Sequence, residues 1–294
     1  MNILLAIDHS ISSETAVSEV VARPWPAGTK VCVLSVVEPP NVLVIPALVQ
    51  TATEAAQALV RNAADRLSRR GLETSTHVAQ DHPRSGIVEY AENWGADLVV
   101  VGSHGRSALA RFLIGSIAQY VVRHAHCSVE VVRTTIYDKP ADARAMKILL
   151  ATDGSEFSLA AARSVAARPW PDGSEVKVVS ATEAIVPAIE PWYVDPAVMQ
   201  SLRDEAAARA RDAVLAAEKE MSGKDLKVSG AVISGVAKAA IIEEANKWGA
   251  DLIVLGSHGL RGISRLLIGS VAEAVAVHAH CSVEVIRGGA AGKR

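Results

Sequence analysis

GSHGRSALARFLIGS at residues 102–116 and GSHGLRGISRLLIGS at 256–270 set the same glycines into the chain twice. Gly102, Gly105 and the pair Gly115-Ser116 return as Gly256, Gly259 and Gly269-Ser270, while the residues between them change. Each stretch follows an apolar run, DLVVV (97–101) or DLIVL (251–255), that reads as a strand. Each is followed by apolar positions at helical spacing: 117, 118, 121, 122 and 125 in the first copy, 271, 272, 275, 276 and 279 in the second. A strand, a glycine turn and a helix, written twice, imply two copies of one α/β domain.

Working outward, the repeat covers nearly the whole chain. RPWPAG (23–28) returns as RPWPDG (168–173), and HAHCSVEVVR (124–133) returns as HAHCSVEVIR (278–287). The first pair is offset by 145 residues and the second by 154, so the second copy carries about nine extra residues, best placed within 182–200. The domains are expected over 1–134 and 147–294, joined by a polar linker over 135–146 that contains Pro140. NILLAI (2–7), VCVLSVV (31–37), KILLAT (147–152) and VKVVSAT (176–182) are near-continuous apolar runs, as expected of strands covered on both faces. SVEVVR and SVEVIR close each copy as a further strand. Positions 56, 59, 60, 63, 64 and 67 form one helical stripe, and GIVEYAENWG (86–95) is a helix ending at Gly95. Strand and helix in alternation imply two tandem, doubly wound, mostly parallel five-stranded sheets with helices on both faces, a Rossmann-like architecture.

Composition narrows the function classes. The 294 residues carry a formal charge of -2, which supplies no long-range attraction to nucleic acid or to an acidic membrane. No apolar run approaches the ~18 residues of a membrane span. The opening MNILLAIDHS has no basic n-region, and Cys32, Cys127 and Cys281 form no CxxC pair. A cytoplasmic, reducing location is expected.

Asp8 follows the first strand and Gly102 follows the fourth, as Asp153 and Gly256 do in the second copy. Both positions fall at the carboxyl ends of parallel strands, where open α/β sheets bind ligands if the strand order reverses between them. Gly115-Ser116 opens a helix whose first N–H groups lack intrahelical partners, which suits a phosphate. A helix terminus contributes roughly 0.3–2 kcal/mol, whereas micromolar affinity needs about 8 kcal/mol. The ligand must therefore also bury an apolar body and use the carboxylate, which fits a nucleotide whose ribose lies near Asp8 or Asp153.

The frame Gly-x-x-Gly, nine residues, then Gly-Ser resembles the nucleotide signature of the universal stress protein family. AIDHS and ATDGS resemble that family's first-strand ending, and HAHCSVEVVR resembles its closing segment, which is commonly written with prolines around the Cys. The resemblance implies that each domain binds ATP. It implies Asp8 and Asp153 at the ribose and phosphates, with Val36 and Ala181 offering backbone atoms to the adenine. Gly102, Gly105, Gly256 and Gly259 would line the ribose and phosphates. Gly115, Ser116 and the Ile117 amide, with Gly269, Ser270 and the Val271 amide, would hold the terminal phosphates. Asp8 and Asp153 could also hold Mg2+ beside those phosphates. The chain departs from the pattern at Ala118 and Ala272, where many members carry a hydroxyl, and at His9, which stands where the second copy has Gly154.

The resemblance implies a nucleotide-dependent regulatory module of a stress response, acting on a protein partner. The alternative is a slow ATPase or a nucleotidyl or phosphoryl transferase. No Walker loop, GxGxxG, HExxH or GxSxG is present. The edge strands SVEVVR and SVEVIR are expected to pair with each other as a pseudo-dimer within the chain, or with a second copy in a homodimer. His104 and His258 read as solvated turn residues, with a phosphate contact as the sharper reading. Arg111 and Arg265 divide equally between phosphate neutralisation and a solvated helix face. His124, His126 and Cys127, with His278, His280 and Cys281, read as packing and turn chemistry rather than a metal site. Trp94 and Trp248 read as core, Trp25 and Trp170 as turn packing.

Overall fold

The computed structural model describes residues 1–39, 46–105, 114–133, 144–183, 195–223, 226–260 and 268–288. The first repeat runs β1 (Asn2–Ala6), α1 (Ile11–Ala22), β2 (Lys30–Val37), α2 (Pro46–Ser68), β3 (Glu73–Gln80), α3 (Pro83–Trp94), β4 (Leu98–Gly102), α4 (Ser116–His124) and β5 (Ser128–Val132). The second runs β6 (Lys147–Ala151), α5 (Glu156–Ala167), β7 (Glu175–Thr182), α6 (Pro196–Glu220), β8 (Lys227–Ser234), α7 (Ala237–Trp248), β9 (Leu252–Gly256), α8 (Ser270–His278) and β10 (Ser282–Ile286). Most of the expected linker, Arg111, Arg265 and much of the extra segment in the second repeat lie outside the described residues.

The apolar runs became the central strands because each is buried on both faces; Ile3, Leu4, Leu5, Leu98, Val99 and Val100 are wholly inaccessible. The third strand of each repeat was not located in the sequence. ETSTHVAQ forms β3 and KVSGAVIS forms β8, both at the outer edges, where much of each strand is exposed and an apolar run is not required. No helix among the described residues is long and apolar enough to cross a membrane.

The strands form one sheet in the order β3-β2-β1-β4-β5-β10-β9-β6-β7-β8. Pairing is parallel within each repeat. It is antiparallel only where β5 meets β10, with Val129, Glu130 and Val131 opposite Val285, Glu284 and Val283. The two closing strands thus satisfy each other, and the expected pair of sheets is a single ten-stranded one.

RPWP explains itself at this seam. A residue before proline leaves the helical region, so α1 and α5 stop at Arg23 and Arg168, both extended. Trp25 Nε1 then donates to the Val20 carbonyl at 2.8 Å, and Trp170 Nε1 to that of Val165 at 2.9 Å, closing each helix end. The arginines reach glutamates at the centre of the seam: Arg23 pairs with Glu130, and Arg168 Nη1 donates to Glu284 Oε2 at 2.7 Å. Both glutamates are fully buried and face each other across the ladder. The two sheet faces therefore differ. On the α3, α4, α7 and α8 side, one apolar core runs through both repeats. On the α1, α2, α5 and α6 side there are two separate cores, each with its own repeat's residues. The buried Arg–Glu pairs stand on that face.

Candidate functional site

The order β2-β1-β4 places a reversal between β1 and β4, because α1 carries the chain to one side of β1 and α3 brings it back to the other. A cleft of about 640 Å³ opens there at the carboxyl ends of the strands. Asp8, Val36, Gly102, Gly105, Gly115, Ser116 and Ile117, residues from four separate stretches of chain, all line it.

At the polar end, Asp8 is held from two directions. Its Oδ1 accepts from the Ser10 amide at 3.0 Å and from Ser13 Oγ at 2.7 Å, while Ser13 Oγ accepts from the Asp8 amide at 2.9 Å. Ser10 also caps α1 by accepting from the Ser13 amide. The start of α1 and the carboxylate therefore share one hydrogen-bonded turn. Sequence reasoning missed Ser13, although a Ser three residues after a helix cap was the available signal.

The glycines have separate physical reasons. A Cβ on Gly102 would lie 2.7 Å from the Ser12 carbonyl carbon, and one on Gly256 would lie 2.6 Å from that of Phe157. The first glycine of each frame thus admits the start of α1 or α5 against the strand end, a close packing that the ligand-based reading did not foresee. Gly105 faces Asp8, where a Cβ would meet Oδ2 at 3.4 Å; a Cβ on Gly259 would overlap Asp153 Oδ2. Gly115 caps α4 with extended backbone (φ -65, ψ 153) and donates its own N–H to the Ser103 carbonyl at 2.7 Å. Gln119 makes the first intrahelical bond, to the Gly115 carbonyl. The amides left without intrahelical partners are therefore those of Ser116, Ile117 and Ala118, not that of Gly115. Ala118 stands where a hydroxyl was noted as missing; it is buried and lines the cleft.

The opposite end is apolar: Val36 and Val37 from β2, Ala52, Ala55 and Ala56 from α2, and Pro83 and Ile87 from α3. These small alanines leave width between helix and strand, and only the tertiary structure shows that they face the strand ends. The cleft therefore has an amide-rich, hydroxyl-bearing end beside a carboxylate and an apolar slot at the other end.

The second repeat reproduces the polar end with two differences. Gly269 caps α8 and donates to the Ser257 carbonyl at 2.7 Å, leaving the amides of Ser270, Val271 and Ala272. Ala181 lies near the end of β7, as Val36 does in β2. Asp153 Oδ1 accepts from the Ser155 amide at 3.0 Å, and its Oδ2 accepts from the Leu260 amide at 2.9 Å, drawing the carboxylate onto the Gly259 turn. The loop also takes another path: Gly154 has φ +79, whereas His9 does not have positive φ and lies exposed in the first cleft.

The histidines correct one expectation. His258 is 8% exposed and packs against Phe157 with ring centroids 5.0 Å apart, and His104 is half-buried. Each ring is fixed by the preceding serine, Ser103 or Ser257, whose Oγ lies 3.0 Å from Nδ1. They are turn-packing residues rather than solvated ones. His124 Nδ1 bonds the Tyr120 carbonyl at 2.8 Å and its ring stacks on Tyr120, while His126 approaches Glu92. Burial pushes the Cys127 thiol up to about 11 and the Cys281 thiol up to about 12, each partly offset by an arginine of the opposite repeat. Among the described residues no group of three or more His, Cys, Asp or Glu could hold a metal ion.

Comparison with known proteins agrees with this architecture. The universal stress protein family profile matches residues 1–133 and 145–287. A universal stress protein of Mycobacterium tuberculosis, Rv2005c, is 32% identical over 221 residues, 74% of this chain and 70% of that one. One from Mycolicibacterium smegmatis is 28% identical over 270 residues, 91% of this chain and 84% of its own. The crystal structure of a universal stress protein from Archaeoglobus fulgidus superposes with a TM-score of 0.66 at 18% identity, covering 98% of this chain and 97% of that one, a likeness of fold.

Proposed function

The chain belongs to the universal stress protein family, and we propose that its first-repeat cleft binds ATP and that the protein is a nucleotide-dependent regulatory module. The observation that carries this reading is the convergence of Asp8, Val36 and the complete glycine frame on one cleft. Its volume falls within the roughly 300–1,000 Å³ of small-molecule sites. The phosphates would lie on the amides of Ser116, Ile117 and Ala118 with the Ser116 hydroxyl. The positive end of the α4 dipole supplies the charge complement. The ribose would lie by Asp8, and the base in the slot between Val36, Ala55 and Ile87. Asp8 would hold Mg2+ bound with the nucleotide, which would supply positive charge to the phosphates. A second site of the same kind would lie at Asp153, Gly259 and Ser270, where the carboxylate already accepts from the Leu260 amide.

The arrangement binds better than it cleaves. Asp8 Oδ1 is held by Ser10 and Ser13 and its Oδ2 faces Gly105, so the carboxylate is fixed as an acceptor beside the cradle. Turnover is expected below about one per minute, against about 1–10³ per second for typical enzymes. Titration calorimetry of the intact chain with ATP and Mg2+ tests the binding. A saturable heat that Gly115→Val abolishes for the first site is expected, because a Cβ there would meet the Ser103 carbonyl at 3.3 Å and the added methyls would enter the cradle. No heat with any adenine nucleotide overturns the reading. Phosphate release at enzymatic rates would replace it with the transferase or ATPase reading.

A further inference from the structure

The helices that open at the two cradles are gripped at their far ends by the opposite repeat. Arg287, directly after β10, donates from Nη2 to the carbonyls of Val122 (2.9 Å) and Arg123 (3.0 Å) in the last turn of α4. Arg133, directly after β5, donates from Nη2 to those of Ala276 (3.0 Å) and Val277 (2.7 Å) in the last turn of α8. Their amides cross as well, Arg133 to Ser282 Oγ and Arg287 to Ser128 Oγ. Each arginine also sits one residue from its own repeat's glycine turn. The Ser103 amide donates to the Val132 carbonyl at 2.8 Å, and the Ser257 amide to that of Ile286 at 2.8 Å.

Both helices have nine residues, so each spans only about 13.5 Å from cradle to clamp at ~1.5 Å per residue. A guanidinium on the last carbonyls satisfies orphan acceptors and opposes the negative end of the helix dipole. In so short a helix, a loosened last turn is only two turns from the amides at the first. The repeats thus hold each other's phosphate-end helices through a reciprocal pair of arginines, neither of which lines the first cleft.

We infer that Arg287 and Arg133 are crossed positioning residues: Arg287, in the second repeat, sets the nucleotide affinity of the first, and Arg133 sets that of the second. This rests on the nucleotide reading above. A purely structural role would predict that each substitution harms its own repeat, or both equally.

The test uses the full chain and two readouts. Without ligand, hydrogen exchange should show that Arg287→Met speeds exchange of the α4 amides while leaving α8 as in the parent, and that Arg133→Met does the reverse. With ATP and Mg2+, Arg287→Met in a Gly269→Val background should weaken the first site about 3- to 30-fold, as expected from the size of helix-terminus effects. Arg133→Met in that background should leave the first site within about twofold. Arg287→Lys, which keeps a cation at the carbonyls, should restore most of the affinity. If the parent chain binds no nucleotide, the site reading fails, and the exchange pattern still decides the clamp. If it binds but exchange or affinity changes in the repeat that carries the substitution, the crossed inference is overturned.

Discussion

Replacing Arg23 by methionine isolates the charge arrangement at the centre of the ten-stranded sheet. The Arg23 side chain is 4% exposed and that of Glu130 is 1% exposed, so neither group has water to fall back on. Arg23→Met leaves a buried carboxylate directly opposite a second buried carboxylate, Glu284, with only Arg168 to neutralise both. Removing one partner of a buried pair costs about 3–5 kcal/mol, which is a large fraction of the roughly 5–15 kcal/mol that holds a domain folded. Denaturant unfolding of the variant should show a loss of that size. Replacing all four groups, with Met for both arginines and Leu for both glutamates, should recover the parent stability or exceed it by about 1–4 kcal/mol, because the desolvation cost goes with the charges. Acidity supplies a second check. Burial raises the Glu130 carboxyl above its ordinary range; Arg23 opposes the rise and Glu284 adds to it. A carboxyl raised in the folded state binds more protons folded than unfolded, so its contribution to stability falls as pH rises through the window between the two values. Without Arg23 that window extends upward. The deficit of Arg23→Met should therefore be greatest near about pH 8 and shrink toward about pH 4, where the raised Glu130 carboxyl is protonated in the folded state with or without Arg23. A loss below about 1 kcal/mol, or a deficit that grows on acidification, refutes the assignment of Arg23 as the counter-charge of Glu130.

Two further outcomes follow from the packing. Gly102→Ala drives a Cβ into the Ser12 backbone at 2.7 Å and should cost about 1–3 kcal/mol by thermal or chemical unfolding of the ligand-free chain. Gly105→Ala, with only Asp8 Oδ2 at 3.4 Å, should cost distinctly less; equal losses would remove the argument that α1 packs on Gly102. Burial raises the Cys127 and Cys281 thiols to about 11 and 12, so a thiol reagent should label them slowly in the folded protein at about pH 7 and rapidly after denaturation. Fast labelling of both in the folded state would contradict the burial of Cys281 and the partial burial of Cys127.

Much of the site is legible in one dimension because its parts are short and local. A helix cap, a turn after a strand and an aspartate at a strand end each depend on neighbours within a few residues. The repeat then marks which of them belong together, since Gly102, Gly105 and Gly115 return at the same spacing. The reasons for those residues were less legible. Gly102 looks like a place for a ligand, yet its missing Cβ makes room for Ser12, ninety residues earlier in the chain. His258 looks like a turn residue in water, yet Phe157 covers it. The edge strands β3 and β8 escaped notice because, at the margin of the sheet, they need no apolar run.

By itself the sequence determined the fold class, the duplication, and which glycines and aspartates gather at the strand ends, because hydrophobic periodicity and turn chemistry act between near neighbours. Only the tertiary structure decided that the two sheets join through β5 and β10 and that RPWP aims an arginine at the glutamate of SVEV. It alone also set the alanines of α2 on the apolar end of the cleft and sent Arg133 and Arg287 across to each other's helices. Those outcomes depend on which buried charges and carbonyls meet when distant segments pack, and a buried polar group takes whatever partner the fold brings within hydrogen-bonding distance.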